Sequence, residues 1–358
     1  MKIKTKGLAR TTNLACLIAV VLLAKPCFAS DAVTLQLKLP KGFKAKTTAI
    51  ATNNQTASVS PPPAHATTDE DEHTYTSKYE YAATKEYLIE CVDVDTAGVM
   101  TVRETITATK LTIKNGDAIS IEYDSRDKAN PTQPLSVYFA AHINNPLTYR
   151  ISPSGIVLKV IGADAWAEKI EARMKKARRT QKVSQPSPDP KKEKAMLLDR
   201  AKYSRPVAVL RFYPTSPVKT GHTWVTPSLC SGKVCPPLDV SSVTWTLQSV
   251  SDGVARLKYT AKSRPAKPTL PGKTVLDSSI KSDGTCEMQI DLRTGLSLSS
   301  KSMAETTKHL VFTRDGSDKQ ETSKQSGTIT RNAKTTFLNN ATHSTSGSSA
   351  KIAPSVNE

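Results

Sequence analysis

The sequence lacks the motifs by which most secreted enzymes are identified. It has no G-x-S-x-G nucleophile elbow, no C-x-x-C redox pair and no glycine-rich loop that could hold a phosphate. The six histidines are scattered singly, so none forms a ligand pair for zinc. The apolar run at residues 14–24 is well short of the roughly 20 residues of a membrane-spanning helix, and no later segment reaches that length. The sequence therefore offers no positive evidence for catalysis, a cofactor, a metal or a spanning helix.

Residues 1–29 have the three parts of a cleavable signal peptide. A positively charged segment precedes the apolar run, and the small residues Cys27 and Ala29 stand at the positions that signal peptidase requires. We expect cleavage after Ala29 and export of the mature chain to the periplasm or the extracellular space.

The mature chain is basic. The predicted signal peptide contains five of the 50 basic residues and no acidic residue, which leaves 45 basic and 32 acidic side chains and a formal net charge of +13. In an exported protein this excess favours anionic envelope polymers, membrane surfaces or acidic proteins as partners before nucleic acid.

Four cysteines remain after the predicted cleavage, and an even number in an oxidising compartment favours disulfides. Cys230 and Cys235 bracket four residues and can close a small loop, so we predict a disulfide between them. By elimination, the second disulfide would join Cys91 and Cys286. A zinc site is the competing interpretation, but no histidine pair with ligand spacing accompanies the cysteines.

Alternating apolar and polar residues dominate both ends of the mature chain, and short turns separate the alternating segments. This pattern predicts antiparallel hairpins. We therefore expect a mainly β fold with a small α insert, in which two antiparallel β-meander or curved-sheet units comprise residues 31–162 and 206–338. Residues 53–73 and 339–358 are rich in small polar residues, and we predict that both segments are disordered.

Between the two β units, in residues 163–205, the apolar period changes from two to about four. Trp166, Ile170 and Met174 recur at helical spacing, and together with three alanines they form an apolar arc about 100° wide on a helical wheel. A proline-rich run ends this helix before a second helix begins at Pro190. A helical insert is therefore predicted to join the β units.

The segment KIEARMKKARRTQK, residues 169–182, is strongly basic. Its basic residues occupy the part of the wheel that the apolar arc leaves free, and those in the last turns interact with the helix dipole by about 0.3–1 kcal/mol each. This is a sufficient structural explanation. The alternative is docking on an anionic lipid or polymer surface, through the contact residues Lys169, Arg173, Lys175, Lys176, Arg178, Arg179 and Lys182. Nucleic-acid binding is not expected, because no aromatic residue for base stacking follows Trp166 in this helix.

Four short segments resemble the motifs of a known family. They are the TAG turn at 96–98, ISIEYDS at 119–125, the hairpin at 148–162 with its SPSG turn, and residues 214–224, which contain PVKTGHTW. In these segments the sequence resembles an uncharacterised family of exported bacterial proteins with two β-rich halves around a helical insert. The similarity spans residues 34–338. His222 departs from the family pattern, which has an acidic residue there. The resemblance implies architecture and export, and it transfers no functional residue.

Our leading hypothesis from the sequence is a non-catalytic exported protein, a binding or scaffold module associated with the cell envelope. The alternative is a periplasmic carrier of a lipid or other apolar ligand in a curved-sheet cavity, with Trp166, Ile170 and Met174 at its mouth. A secreted hydrolase is the third hypothesis, for which His222 is the first residue to examine. The expected partner is an anionic envelope polymer or membrane surface, or an apolar small molecule.

Overall fold

The fold is dominated by β-strands. The computed structural model describes residues 32–60, 75–127, 133–181, 190–203, 206–209, 213–227, 239–264, 273–314 and 320–338. Strands account for 64% and helices for 14% of the structure. The predicted mainly β fold with few helices is confirmed.

The described residues form twelve strands and three helices. The strands are β1 Lys44–Ser60, β2 Tyr75–Val94, β3 Met100–Asn115, β4 Ala118–Asp124, β5 Leu147–Ile151, β6 Val157–Ile161, β7 Thr223–Pro227, β8 Asp239–Ser251, β9 Val254–Arg264, β10 Lys273–Asp291, β11 Ser297–Arg314 and β12 Gln320–Phe337. The helices are α1 Pro134–His142, α2 Ala163–Gln181 and α3 Pro190–Tyr203. Helices α2 and α3 lie in the predicted insert. Helix α1 was not expected, because its sequence is apolar on several sides and shows no single stripe.

All twelve strands belong to one antiparallel sheet. Its order is β6-β5-β3-β2-β1-β12-β11-β10-β9-β8-β7, and β4 pairs with β3 beside that path. Strands β1–β6 and β7–β12 correspond to the two predicted meanders. The meanders meet where β1 pairs with β12, from Ala45 opposite Phe337 to Ser60 opposite Thr322. The halves therefore share one continuous sheet in addition to the helical insert that links them along the chain.

The prediction of disorder for residues 53–73 is wrong for its first part. Residues 53–60 continue β1 and are paired with β12 on one side and β2 on the other. Backbone hydrogen bonds to two neighbours order this segment although its side chains are small and polar, so tertiary context overrides composition. The remaining residues, 61–73, lie outside the described part of the chain, as do the predicted signal peptide and the predicted tail at 339–358.

The predicted disulfide between Cys91 and Cys286 is also wrong, since both cysteines are buried free thiols. Cys91 lies on β2 and Cys286 on β10, with three strands between them. Following the strand register across the sheet from Cys286 leads to Ala83, eight residues before Cys91 on β2. Eight residues span about 27 Å along a strand, whereas a disulfide needs Cα atoms within about 7 Å. Cys230 and Cys235 lie outside the described residues.

The segment before β1, residues 33–39, which we call the strap, crosses one end of the sheet. Val33 forms an isolated bridge with Val218, just before β7. The Leu37 amide donates to the Pro153 carbonyl between β5 and β6 (2.8 Å), and the Lys38 amide donates to the Thr294 carbonyl between β10 and β11 (2.9 Å). Because these partners belong to different halves of the sheet, the strap is hydrogen-bonded to both halves, in addition to the pairing of the halves through β1 and β12.

Gly295 allows the strap to approach the turn between β10 and β11. Its φ is +75°, and a Cβ atom at this position would lie 2.1 Å from the Gln36 carbonyl oxygen and 2.7 Å from the Leu37 Cα. The Tyr213 hydroxyl donates a hydrogen bond to the Gly295 carbonyl. Only glycine combines this backbone conformation with so close a neighbour.

One large hydrophobic core lies between a single face of the sheet, the strap and the helices. The strap contributes three leucines that are almost fully buried, and β5, β8 and β9 contribute Tyr149, Leu247 and Leu257. A smaller cluster packs α1 against β2, β3 and β4. We call the sheet face that carries the large core the inner face and the opposite face the outer face. The core thus fixes α2 and α3 against the sheet, with their other sides turned away from it.

Candidate functional site

The apolar side of α2 is part of the core. Trp166, Ile170 and Met174 are 8%, 0% and 3% exposed, as the predicted apolar arc requires. The Trp166 carbonyl accepts a hydrogen bond from Asn145 (3.2 Å), and its ring contacts the His142 ring edge-on at 5.4 Å between centroids. Ligand contact by these three side chains stays a prediction, and their close packing favours a structural role.

Arg173 caps the C-terminus of α1. Its guanidinium group donates hydrogen bonds to the carbonyls of Ala141 (3.0 Å) and Ile143 (2.6 Å). Carbonyls at a helix C-terminus have no partner within the helix, and a positive charge there also interacts favourably with the helix dipole. Arg173 is therefore half-buried and engaged in the fold, whereas Lys169, Lys175 and Arg179 are exposed.

The free side of α2 is basic. Lys169, Lys175, Lys176 and Arg179 are all exposed. The Arg178 side chain and Lys182 lie outside what the structure describes. Among the described residues, no carboxylate forms an ion pair with Lys169, Lys175 or Arg179. These four exposed residues form what we call the basic face.

The acidic residues of α2 lie along the side of the helix next to α3, and Lys175, four residues after Glu171, lies on the same side. Lys194 of α3 donates a 2.9 Å hydrogen bond to Glu168. This hydrogen bond raises the pKa of Lys194 above its ordinary value, and the charges of Glu168, Asp164 and Glu171 raise it further. The three carboxylates of α2 are thus gathered around a lysine of the neighbouring helix. None of them forms an ion pair with Lys169, Lys175 or Arg179.

The pairing of these carboxylates with Lys194 could not be read from α2 alone. A helical wheel shows where the acidic residues lie, but only the packing of α3 shows that Lys194 is their partner. The missed signal is the spacing of Asp164, Glu168 and Glu171 at intervals of four and three, which places them along one side of the helix. Chemically, the exposed basic residues of α2 can attract extended anions while the apolar side of the helix stays packed in the core.

His222 and Cys91 are two described residues whose side chains are capable of chemistry. His222 is exposed and stacks on Trp224, with ring centroids 6.4 Å apart, and no hydrogen bond joins its ring to another described side chain. Cys91 donates to the Leu39 carbonyl at 3.4 Å, and burial raises the pKa of its thiol to about 11. The thiol therefore stays protonated at neutral pH, which disfavours a nucleophilic role.

Among the described residues, no group of three or more His, Cys, Asp or Glu side chains converges in a way that could hold a metal ion. None of the helices described has the length and apolar character needed to cross a membrane.

Comparison with known proteins gives a family but no activity. Residues 97–297, more than half of the chain, match the model of a family described as "Family of unknown function (DUF6263)". The predicted resemblance to an uncharacterised family is thereby confirmed. No curated protein matches the chain.

Two solved structures show weak likeness. One, titled "Lipid-protein interactions in lipovitellin", covers 81% of this chain at 9% identity with a TM-score of 0.39, and this chain spans only 25% of that one. The other is the COG4313 outer membrane channel from Pseudomonas putida F1, at 7% identity and a TM-score of 0.18, covering 87% of this chain and 99% of that chain. Both TM-scores are too low to bear on the fold or the function of this chain.

Proposed function

We propose that this chain, which belongs to the family of unknown function DUF6263, is an exported, non-catalytic binding protein of the cell envelope that docks on anionic surfaces through the basic face of α2. The sheet and the core would serve as the scaffold that presents this helix.

The observation that carries the proposal is the positive charge that α2 exposes without ion pairs to its own carboxylates. Its carboxylates are gathered around Lys194, whereas Lys169, Lys175 and Arg179 are exposed with no ion pair to a described carboxylate. A helix that needed positive charge only for its own stability would gain most from bases in its last turn. Lys169 lies in the first half of α2, where the dipole does not favour a cation. An external anion would favour a cation there as well as in the last turn.

Export and the absence of catalysis are parts of the proposal that rest on the sequence. Residues 1–29 have the pattern of a signal peptide. The strap begins at Val33, so cleavage after Ala29 would leave its hydrogen bonds intact. The isolated His222 ring and the protonated thiol of Cys91 support a non-catalytic role within the described residues.

A carrier of an apolar ligand inside the sheet remains the second candidate. It would need an apolar cavity with a mouth near α2. Trp166, Ile170 and Met174, the residues expected at that mouth, instead fill the core between α2 and the sheet. We therefore place the carrier hypothesis below anionic docking.

The proposal predicts that reversing the basic face abolishes binding to anionic vesicles. The variant is Lys169→Glu/Lys175→Glu/Arg179→Glu in the mature chain. Each basic residue near an anionic surface contributes about 1 kcal/mol, so the dissociation constant should rise roughly a hundredfold or more. Binding can be measured by co-sedimentation with phosphatidylglycerol-containing vesicles at low salt, and high salt should release the wild-type protein.

A matched variant distinguishes the effect of the basic face on vesicle binding from the effect of net charge. Lys281→Glu/Lys301→Glu/Lys324→Glu changes the charge by the same amount, at three exposed lysines on the outer face of the sheet. It should bind nearly as well as the wild type. Equal loss of binding in both variants, or binding of the wild type to neutral phosphatidylcholine vesicles as well, would contradict docking through α2.

A further inference from the structure

A groove crosses the outer face of the two central strands. Three cross-strand pairs of β1 and β12 line it, and Leu338 closes one end. The pairs are Lys46 with Thr336, Thr48 with Lys334, and Ile50 with Asn332. The cavity they surround has a volume of about 470 Å³, within the range of about 300–1,000 Å³ that is typical of small-molecule sites.

The two ends of the groove are apolar. Ile50 and Leu338 are 42% and 50% exposed. Ile50 is on β1 and Leu338 directly follows β12, and the outer face of these two strands is otherwise mostly threonine, serine, asparagine and charged residues. Neither side chain contributes to the core. Their exposed side chains offer apolar walls to a ligand.

The centre of the groove is cationic. Lys46 and Lys334 are diagonal neighbours on adjacent strands, which places their Cα atoms roughly 7 Å apart. Lys334 has no ion pair with a described carboxylate, and the contact between Lys46 and Glu86 is long, at 3.9 Å. An anion between these two like charges would offset their mutual repulsion. The long flexible side chains allow both ammonium groups to reach one such anion.

We propose that this groove binds an amphipathic anion of the fatty-acid class. Its carboxylate would lie between Lys46 and Lys334, and its alkyl chain would cover Thr48 or Thr336 and reach the apolar side chain at that end. The alkyl stems of the lysines would add apolar contact. This site is separate from the basic face of α2, which lies with the helices on the inner side of the sheet.

The probe for this proposal is laurate, used below its micelle concentration and titrated calorimetrically into the mature protein. The wild type should bind it. Lys46→Gln/Lys334→Gln should weaken binding roughly tenfold, because two exposed charge pairs are lost. Ile50→Ser/Leu338→Ser should weaken binding by a similar factor, because the alkyl chain loses its apolar contacts. Acetate, which has the head alone, and dodecyl maltoside, which has a chain without charge, should each bind at least tenfold more weakly than laurate.

Two control variants test whether the weakening of laurate binding is specific to the groove. Leu276→Ser/Lys281→Gln makes the same kinds of change at exposed positions of β10, three strands from β1, and should bind laurate like the wild type. The α2 charge-reversal variant should also bind it normally. Circular dichroism establishes that each variant is folded. Absence of laurate binding to the wild type, or equal weakening in the β10 control, would overturn the proposal, and so would unchanged binding in the two groove variants.

Discussion

Replacing Gly295 with alanine is expected to destabilise the protein by about 4 kcal/mol or more, a loss found only when a substitution disrupts packing or backbone geometry. The new Cβ would lie 2.1 Å from the Gln36 carbonyl oxygen, which is backbone and cannot rotate away. To relieve this steric clash the strap would have to move, and the adjacent hydrogen bond from the Lys38 amide to the Thr294 carbonyl would be lost. Urea unfolding of the mature protein, followed by circular dichroism, measures the effect.

Gly253 provides a matched control. It has nearly the same φ, +73°, in the turn between β8 and β9, but no atom lies within 4 Å of the position that a Cβ would take. Gly253→Ala should therefore show only the cost of the left-handed conformation, about 1–2 kcal/mol. The difference between the two losses in the free energy of unfolding measures the cost of the steric clash with the strap. Equal losses would mean that the strap does not pack against Gly295.

Replacing Ile170 with alanine is expected to lower the free energy of unfolding by about 3–4 kcal/mol. Its side chain is completely buried between α2 and the inner face of the sheet. Removing three carbon atoms from such a position loses their transfer free energy and leaves a cavity. The same unfolding experiment measures this change without any ligand.

The control for Ile170 is Met196→Ala on α3. Met196 is 55% exposed, so its truncation should change the stability by less than about 0.5 kcal/mol. The comparison also decides between the two candidate functions. If Ile170→Ala were as mild as Met196→Ala, the residue would face open space, and the carrier of an apolar ligand would become the better hypothesis.

Features that depend on neighbouring residues could be predicted from the sequence. The turn at Gly253 and the alternation on both sides of it predict the hairpin of β8 and β9. The spacing of Trp166, Ile170 and Met174 predicts both α2 and the side that it buries. In each case the decisive interaction joins residues a few positions apart, and one chain segment contains all the information.

Features that depend on distant segments could not be predicted. Ala49 pairs with Ala333, and no local pattern specifies which of the eleven other strands lies next to β1. The strap was missed for the same reason, since its partners are turns from both halves of the sheet. At the candidate site, the exposed bases of α2 could be predicted from the wheel, but Lys194 and the capping role of Arg173 depend on how α1 and α3 pack against α2.

The central claim is that the two halves share one sheet through β1 and β12, and a pair of engineered disulfides tests it most directly. Ala49→Cys/Ala333→Cys places cysteines at directly opposite positions, with Cα atoms about 4.5–5.5 Å apart. Ala51→Cys/Ala333→Cys makes the same substitutions at diagonal positions, about 7–8 Å apart. Peptide mapping after mild oxidation should find the 49–333 disulfide in nearly all molecules and little of the 51–333 disulfide. Failure of residues 49 and 333 to link, or equal linkage of both pairs, would contradict a continuous sheet in this register.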